Sequence, residues 1–163
     1  MKIGILSDSH DNYVKVQRVI DIFNDSKVEM VLHGGDFVSA MAAGMFSQLA
    51  GAGFIGVFGN CDHEKESMQS EVNAFGGQMY DGIYTGRLDG VRVFMTHRCN
   101  VVDEVAGNGL YELVIYGHTH KRDIRKVGGS LIINPGETSD GLRGDSSIVM
   151  VDTKSMEYEV VGL

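Results

Sequence analysis

Short apolar runs alternate with helix-spaced apolar residues through the first half of this chain. Residues 2–7 read KIGILS, an almost continuous apolar run of the kind found in strands buried on both faces. Across residues 12–24, Val16, Val19, Ile20 and Phe23 fall on one helix face, with Asp11 or Asn12 as the N-cap. Residues 28–32 predict a second strand and residues 39–50 a helix with Met41, Met45, Phe46 and Leu49 inward. Residues 54–58 predict a third strand, followed by a helix over 63–75. Strand, helix, strand, helix is the order of a parallel sheet with right-handed crossovers.

The second half changes rhythm. Residues 83–88 and 91–95 flank Asp89-Gly90, a strong hairpin signal. A short helix near 101–107 precedes the buried run 113–116. Residues 123–127 and 131–133 flank Gly128-Gly129, and 148–152 and 157–161 flank the turn 153–156. Parallel units followed by hairpins predict an α/β fold of two packed mixed sheets with helices outside. The length of 163 residues suits a single domain spanning the whole chain.

Five of these apolar runs end in side chains able to ligate metal. They are Asp8 and His10, then Asp36, Asn60, His97, and finally His118 with His120. In an open α/β sheet the carboxyl ends of the strands lie along one edge, where ligands bind. Seven oxygen and nitrogen donors exceed one tetrahedral zinc and suit two divalent ions. Asp-x-His lets both side chains of an extended loop reach one ion. Gly-Asp turns tightly and offers a carboxylate able to bridge two.

Composition is that of an ordinary globule, 43% apolar and 22% charged, with a net charge of −8. That charge argues against a general nucleic-acid binder. Two divalent ions would still make the site locally positive and ready for a small anionic substrate. No apolar stretch approaches membrane-spanning length and no signal peptide opens the chain, so no membrane role is expected. Two cysteines, Cys61 and Cys99, make no disulfide framework, and a cytoplasmic, reducing setting is the default. Homo-oligomerisation is left open.

The series Asp8-x-His10, Gly35-Asp36, Gly59-Asn60-x-Asp62, the lone His97 and Gly117-His118-x-His120 resembles the calcineurin-like metallophosphoesterase superfamily. The INPGE loop at 133–137 is similar to that of its small single-domain bacterial and archaeal phosphodiesterases. The resemblance implies a four-layer α/β/β/α sandwich. It also implies one ion on Asp8, His10 and His120 and a second on Asn60, His97 and His118, with Asp36 bridging. The activity it implies is phosphodiester hydrolysis by a metal-bridging hydroxide, with Asp36, Asn60, His10 and Cys61 as the residues at the chemistry. Imidazole, amide and carboxylate ligands suit manganese, nickel, iron or zinc better than magnesium. A catalytically silent metal-binding scaffold of the same fold is the alternative.

Two departures from the family pattern matter. Many relatives read G-N-H-D or G-N-H-E, whereas this chain reads Gly59-Asn60-Cys61-Asp62, and a thiol is a poor stand-in for imidazolium. Relatives often read T-H-G-H, whereas this chain reads Thr96-His97-Arg98-Cys99. Cys61 and Cys99 both lie in ligand loops, a placement compatible with an oxidation-sensitive gate. His33 reads as a packed histidine and His63 as a surface residue opening a helix. Asp62 reads as a partner orienting His10 or as a helix cap. Arg98, Arg122 and Arg143 are the cations that could reach a substrate phosphate.

Overall fold

Ile3 and Ile5 point to one side of the first strand, Leu6 to the other, and both sides are covered. On the second side Gly4 lies beneath Phe23, where an added Cβ would come within 2.6 Å of the ring. That two-sided burial is why the strand reads as a continuous apolar run. The computed structural model describes residues 1–140 and 146–163.

In the first sheet β1 (Lys2–Leu6), β2 (Met30–His33), β3 (Gly53–Val57) and β4 (Gln78–Tyr80) run parallel. The hairpin of β10 (Ser147–Asp152) and β11 (Tyr158–Gly162) joins the edge of β1 antiparallel, giving the order β11-β10-β1-β2-β3-β4. The second sheet contains β5 (Ile83–Leu88), β6 (Val91–Thr96), β7 (Leu113–Ile115), β8 (Asp123–Val127) and β9 (Ser130–Asn134), ordered β5-β6-β7-β9-β8. Its central strands β6, β7 and β9 are parallel. Asp89 and Gly90 turn the β5–β6 hairpin with positive φ at both residues, 46° and 88°.

The layers follow from which face each apolar residue takes. Helices α1 (Tyr13–Asp25), α2 (Ala40–Gly44) and α3 (Lys65–Ala74) cover the outer face of the first sheet through Val16, Val19, Ile20, Phe23, Ala42, Ala43, Met68 and Val72, with Phe46 just after α2. Ile3, Ile5, Leu32, Ile55 and Val57 meet Val93, Met95, Leu113, Ile115 and Ile133 between the sheets. Val102 and Ala106 of α4 (Val102–Gly107) cover Phe94, Val114 and Ile132 on the outer face of the second. The result is two mixed sheets packed face to face and flanked by helices. No helix among the described residues is long and apolar enough to cross a membrane.

The expected elements recur with three corrections. β4 was not expected; its three residues are too few to show alternation. The expected helix over 39–50 is a five-residue α-helix that tightens into a 3-10 turn at Met45–Gln48, burying Ala42, Ala43 and Phe46 and packing Met45 and Leu49 against the core as expected. Met41, expected inward, is exposed. The helix expected from 63 starts at Lys65, leaving His63 in the preceding loop. Of the two cap candidates, Asn12 caps α1, accepting the Lys15 N–H at 3.1 Å.

Candidate metal centre

The loops leaving β1, β2 and β3 meet those leaving β6 and β7 where the two sheets come together. Hydrogen bonds fix that meeting: Asp8 N–H donates to the Gly35 carbonyl at 2.9 Å, and His10 N–H to that of Asp36 at 3.1 Å. His118 N–H donates to Asp8 Oδ2 at 3.0 Å, joining the second sheet's loop to the first's. Glycine makes the approach possible. A Cβ at Gly59 would lie 2.0 Å from Asp36 Oδ1, and one at Gly117 2.0 Å from Ser7 Oγ.

Five of the seven expected ligands, Asp8, His10, Asp36, His118 and His120, have positive φ, between 43° and 69°. Such backbone is costly outside glycine, least so for Asp, Asn and His, and it gathers where a site over-determines it. Here the strain turns successive side chains inward within very short loops.

Asp8, His10, Asp36 and His120 bring one donor atom each within 4.8 Å of one another. His10 Nε2 stands 3.2 Å from His120 Nε2 and 3.6 Å from Asp36 Oδ2, and His120 Nε2 stands 3.4 Å from Asp8 Oδ1. Ligands around one ion at bond lengths near 2.1 Å are separated by roughly 3.0–3.4 Å, so the spacing fits a shared cation. Beside this group, His97 Nε2 lies 3.1 Å from Asn60 Oδ1 and 3.4 Å from Asp36 Oδ2. The His118 ring meets that of His97 edge-on with centroids 5.1 Å apart. His97 and Asn60 therefore stand against Asp36 beside the first group, with His118 next to them through its ring contact with His97.

Tautomers support the same fit. His97 Nδ1 faces the Gly34 carbonyl at 2.8 Å and must carry the proton there, leaving the Nε2 lone pair for the cavity. His120 Nδ1 likewise faces Glu137 Oε2 at 2.9 Å. Burial disfavours the Asp36 carboxylate, but the His97 ring beside it and the Cys61 N–H hold it well below the usual range. Burial would also keep His97 neutral, yet Asp36 and Asp8 raise it. Burial raises Asp8 and lowers His118, with His97 and Arg98 pushing His118 further down. The carboxylate that stays ionised at the centre is the charge a bound cation would meet.

The other candidates fall into place differently. Asp62 neither orients His10 nor caps a helix. It accepts from the N–H groups of Asp36 at 3.0 Å, Val38 at 2.8 Å and Gly59 at 2.7 Å, stapling the Gly-Asp loop to the Asn60 loop. His33 is buried, stacked on Phe37, and takes the Gly35 N–H at 3.1 Å on Nδ1; burial keeps it neutral. Cys61 N–H donates to Asp36 Oδ1 at 2.8 Å, and burial with Asp36 beside it pushes the thiol up to about 11. Cys61 and Cys99 are both free thiols, Cys99 exposed. Arg122 reaches Ser147 Oγ at 3.4 Å, and Arg143 lies outside the described residues.

Glu137 is the residue sequence reasoning missed. It is fully buried, takes hydrogen bonds from His120 and from Ser139, and sits just past the apolar run of β9. Because β9 is parallel to β7, that position is on the same carboxyl edge as the ligands. The signal was present in INPGE, an acid directly after a buried strand.

The sequence matches the calcineurin-like phosphoesterase superfamily domain over residues 1–156. The chain belongs to that family. The phosphodiesterase MJ0936 of Methanocaldococcus jannaschii is 38% identical, over 100% of this chain and 99% of the relative. The solved structure of an archaeal phosphodiesterase superposes with a TM-score of 0.93, covering 100% of both chains at 38% identity. A single-substitution variant of Vps29 from Entamoeba histolytica superposes with a TM-score of 0.72, covering 100% of this chain and 99% of its own, at 19% identity. That last likeness concerns the fold alone. Membership in the calcineurin-like family carries divalent-metal-dependent phosphoester hydrolysis, and the converging donors fit it.

Proposed function

We propose that this chain hydrolyses phosphodiesters, with Asp8, His10, Asp36 and His120 holding one divalent ion and Asp36, Asn60, His97 and His118 a second. The observation that carries the assignment is the place of Asp36. Its Oδ2 lies 3.6 Å from His10 Nε2 in one group and 3.4 Å from His97 Nε2 in the other. Divalent ions in such a pair supply a nucleophile from water at neutral pH and neutralise charge on the phosphoryl oxygens.

The chain's own residues keep that arrangement in register. Cys61 N–H holds Asp36 Oδ1, leaving Oδ2 toward the histidines. The Gly34 carbonyl and Glu137 hold the protons of His97 and His120 away from the centre. A thiol is a weak donor, so the position where many relatives carry histidine offers little acid to a leaving oxygen. Diesters with acidic leaving groups should therefore react fastest.

Imidazole-rich ligation supports manganese, nickel, iron or zinc over magnesium. Free cysteines support a reducing compartment such as the cytoplasm, and the net charge of −8 supports small phosphate esters over nucleic acid in general. The silent-scaffold alternative is disfavoured because no expected ligand is missing. The test is turnover of bis(4-nitrophenyl) phosphate after chelator stripping and reloading. Manganese or nickel should restore activity and magnesium restore less; full activity in excess chelator, after verified metal removal, contradicts the reading.

A further inference from the structure

Beside Asn60 and His97 the centre opens into a groove of about 580 Å³, ample for a nucleotide-sized group. Three loops form it, those after β3 and β6 and the turn between β4 and β5. Phe58 and Ile83 give it apolar wall, and Ile83 is 51% exposed with no other evident task. Two carboxylates also line it, and both are already engaged. Asp81 is paired with Lys65 at 2.7 Å, and Asp62 is buried and committed to three backbone N–H groups. His63 and Arg98 line the same groove and have no ion-pair or hydrogen-bond partner among the described residues.

We propose that this groove binds one ester arm of the substrate, and that the arm itself carries a second phosphate held by Arg98 with His63 beside it. The inference rests on the phosphodiesterase reading and extends it to a substrate class. An arm without charge would need only the apolar wall of Phe58 and Ile83. The unpaired guanidinium offers a planar fork of donors matched to phosphate oxygens, and a second donor nearby suits a group with more than one charge.

The test separates binding from turnover. Thymidine 5′-phosphate and thymidine 3′,5′-bisphosphate are titrated calorimetrically into manganese-loaded wild type, Arg98→Ala and Arg98→Lys. Wild type should bind the bisphosphate roughly 10- to 100-fold more tightly, the range of charge-assisted hydrogen bonds to one phosphate. Arg98→Ala should lose most of that preference, and Arg98→Lys should keep part of it, because lysine retains the charge without the fork. Equal affinity of wild type for both nucleotides overturns the proposal, as does a preference that survives Arg98→Ala. Turnover of bis(4-nitrophenyl) phosphate by the same wild-type sample is read separately. If that substrate is cleaved but the bisphosphate preference is absent, the groove assignment fails and the phosphodiesterase reading stands. If it is not cleaved under any metal, the parent reading fails and takes the groove with it.

Discussion

Asp36 stands between two sets of donors, its Oδ2 3.6 Å from His10 Nε2 and 3.4 Å from His97 Nε2. It is nearly fully buried, its Oδ1 is held by Cys61 N–H, and its backbone N–H is held by Asp62. Asp36→Ala should therefore lower activity by at least ~10²-fold, in line with the several kcal/mol attributed to metal stabilisation. The damage should exceed that of His118→Ala, and steady-state rates at saturating metal decide it. Asp62→Asn tests the support instead of the ligand. An amide would turn a donor toward N–H groups now satisfied by a carboxylate, costing ~1–3 kcal/mol of stability. Urea midpoints of the metal-free protein should fall, and manganese titration should show weaker binding; unchanged values in both would remove Asp62 from the account. Cys61→His returns an imidazole with a pKa near 6.5 to the place many relatives have one, and rates on poor leaving groups should rise by up to ~10²-fold. A plot of log rate against leaving-group pKa, unchanged in slope, would show that Cys61 does not face the leaving oxygen. At this scale the seven donors were legible because each follows directly on an apolar run. The role of Asp62 was not, because it depends on backbone N–H groups up to 26 residues away; Glu137 left only the weaker signal of an acid past a buried run, and its partner His120 lies 17 residues away.

Among the elements, the long buried strands and α1 were legible because burial on both faces, or on one helical stripe, writes itself into the sequence. β4 and the α2 region were not. Gln78-Met79-Tyr80 is too short to alternate, and a helix that tightens into a 3-10 turn abandons the 3.6-residue face from which Met41 was expected to point inward. One element contact has a definite pH signature. Arg92 of β6 holds Glu112, the residue before β7, through its guanidinium and its backbone N–H. The Arg92 side chain first, then its backbone, brings the Glu112 carboxyl from 4.5 down to about 2. A lowered carboxyl pKa stabilises the fold above the unfolded value and loses that contribution as pH falls toward the folded one. Wild type should thus exceed Glu112→Gln in Tm at pH 6, modestly because both groups are solvent-exposed, and the gap should close between pH 4.5 and 2. A gap independent of pH would mean that packing, not charge, joins β6 to β7.

For the whole molecule, the decisive fact is that neither sheet owns the site. Asp8, Asp36 and Asn60 leave strands of the first sheet, and His97, His118 and His120 leave strands of the second. Ions bound between them would tie the two sheets together, and binding to the native state alone raises stability by about 2.7 kcal/mol at a hundredfold excess over Kd. Scanning calorimetry should show one cooperative transition that moves upward with manganese. The same sharing makes the central claim measurable by electron paramagnetic resonance on protein loaded with manganese to saturation. Two ions bridged by Asp36 predict an exchange-coupled spectrum at two manganese per chain, which Asp36→Ala should convert to the spectrum of isolated ions. A wild-type spectrum of isolated manganese at every loading would contradict the bridged pair.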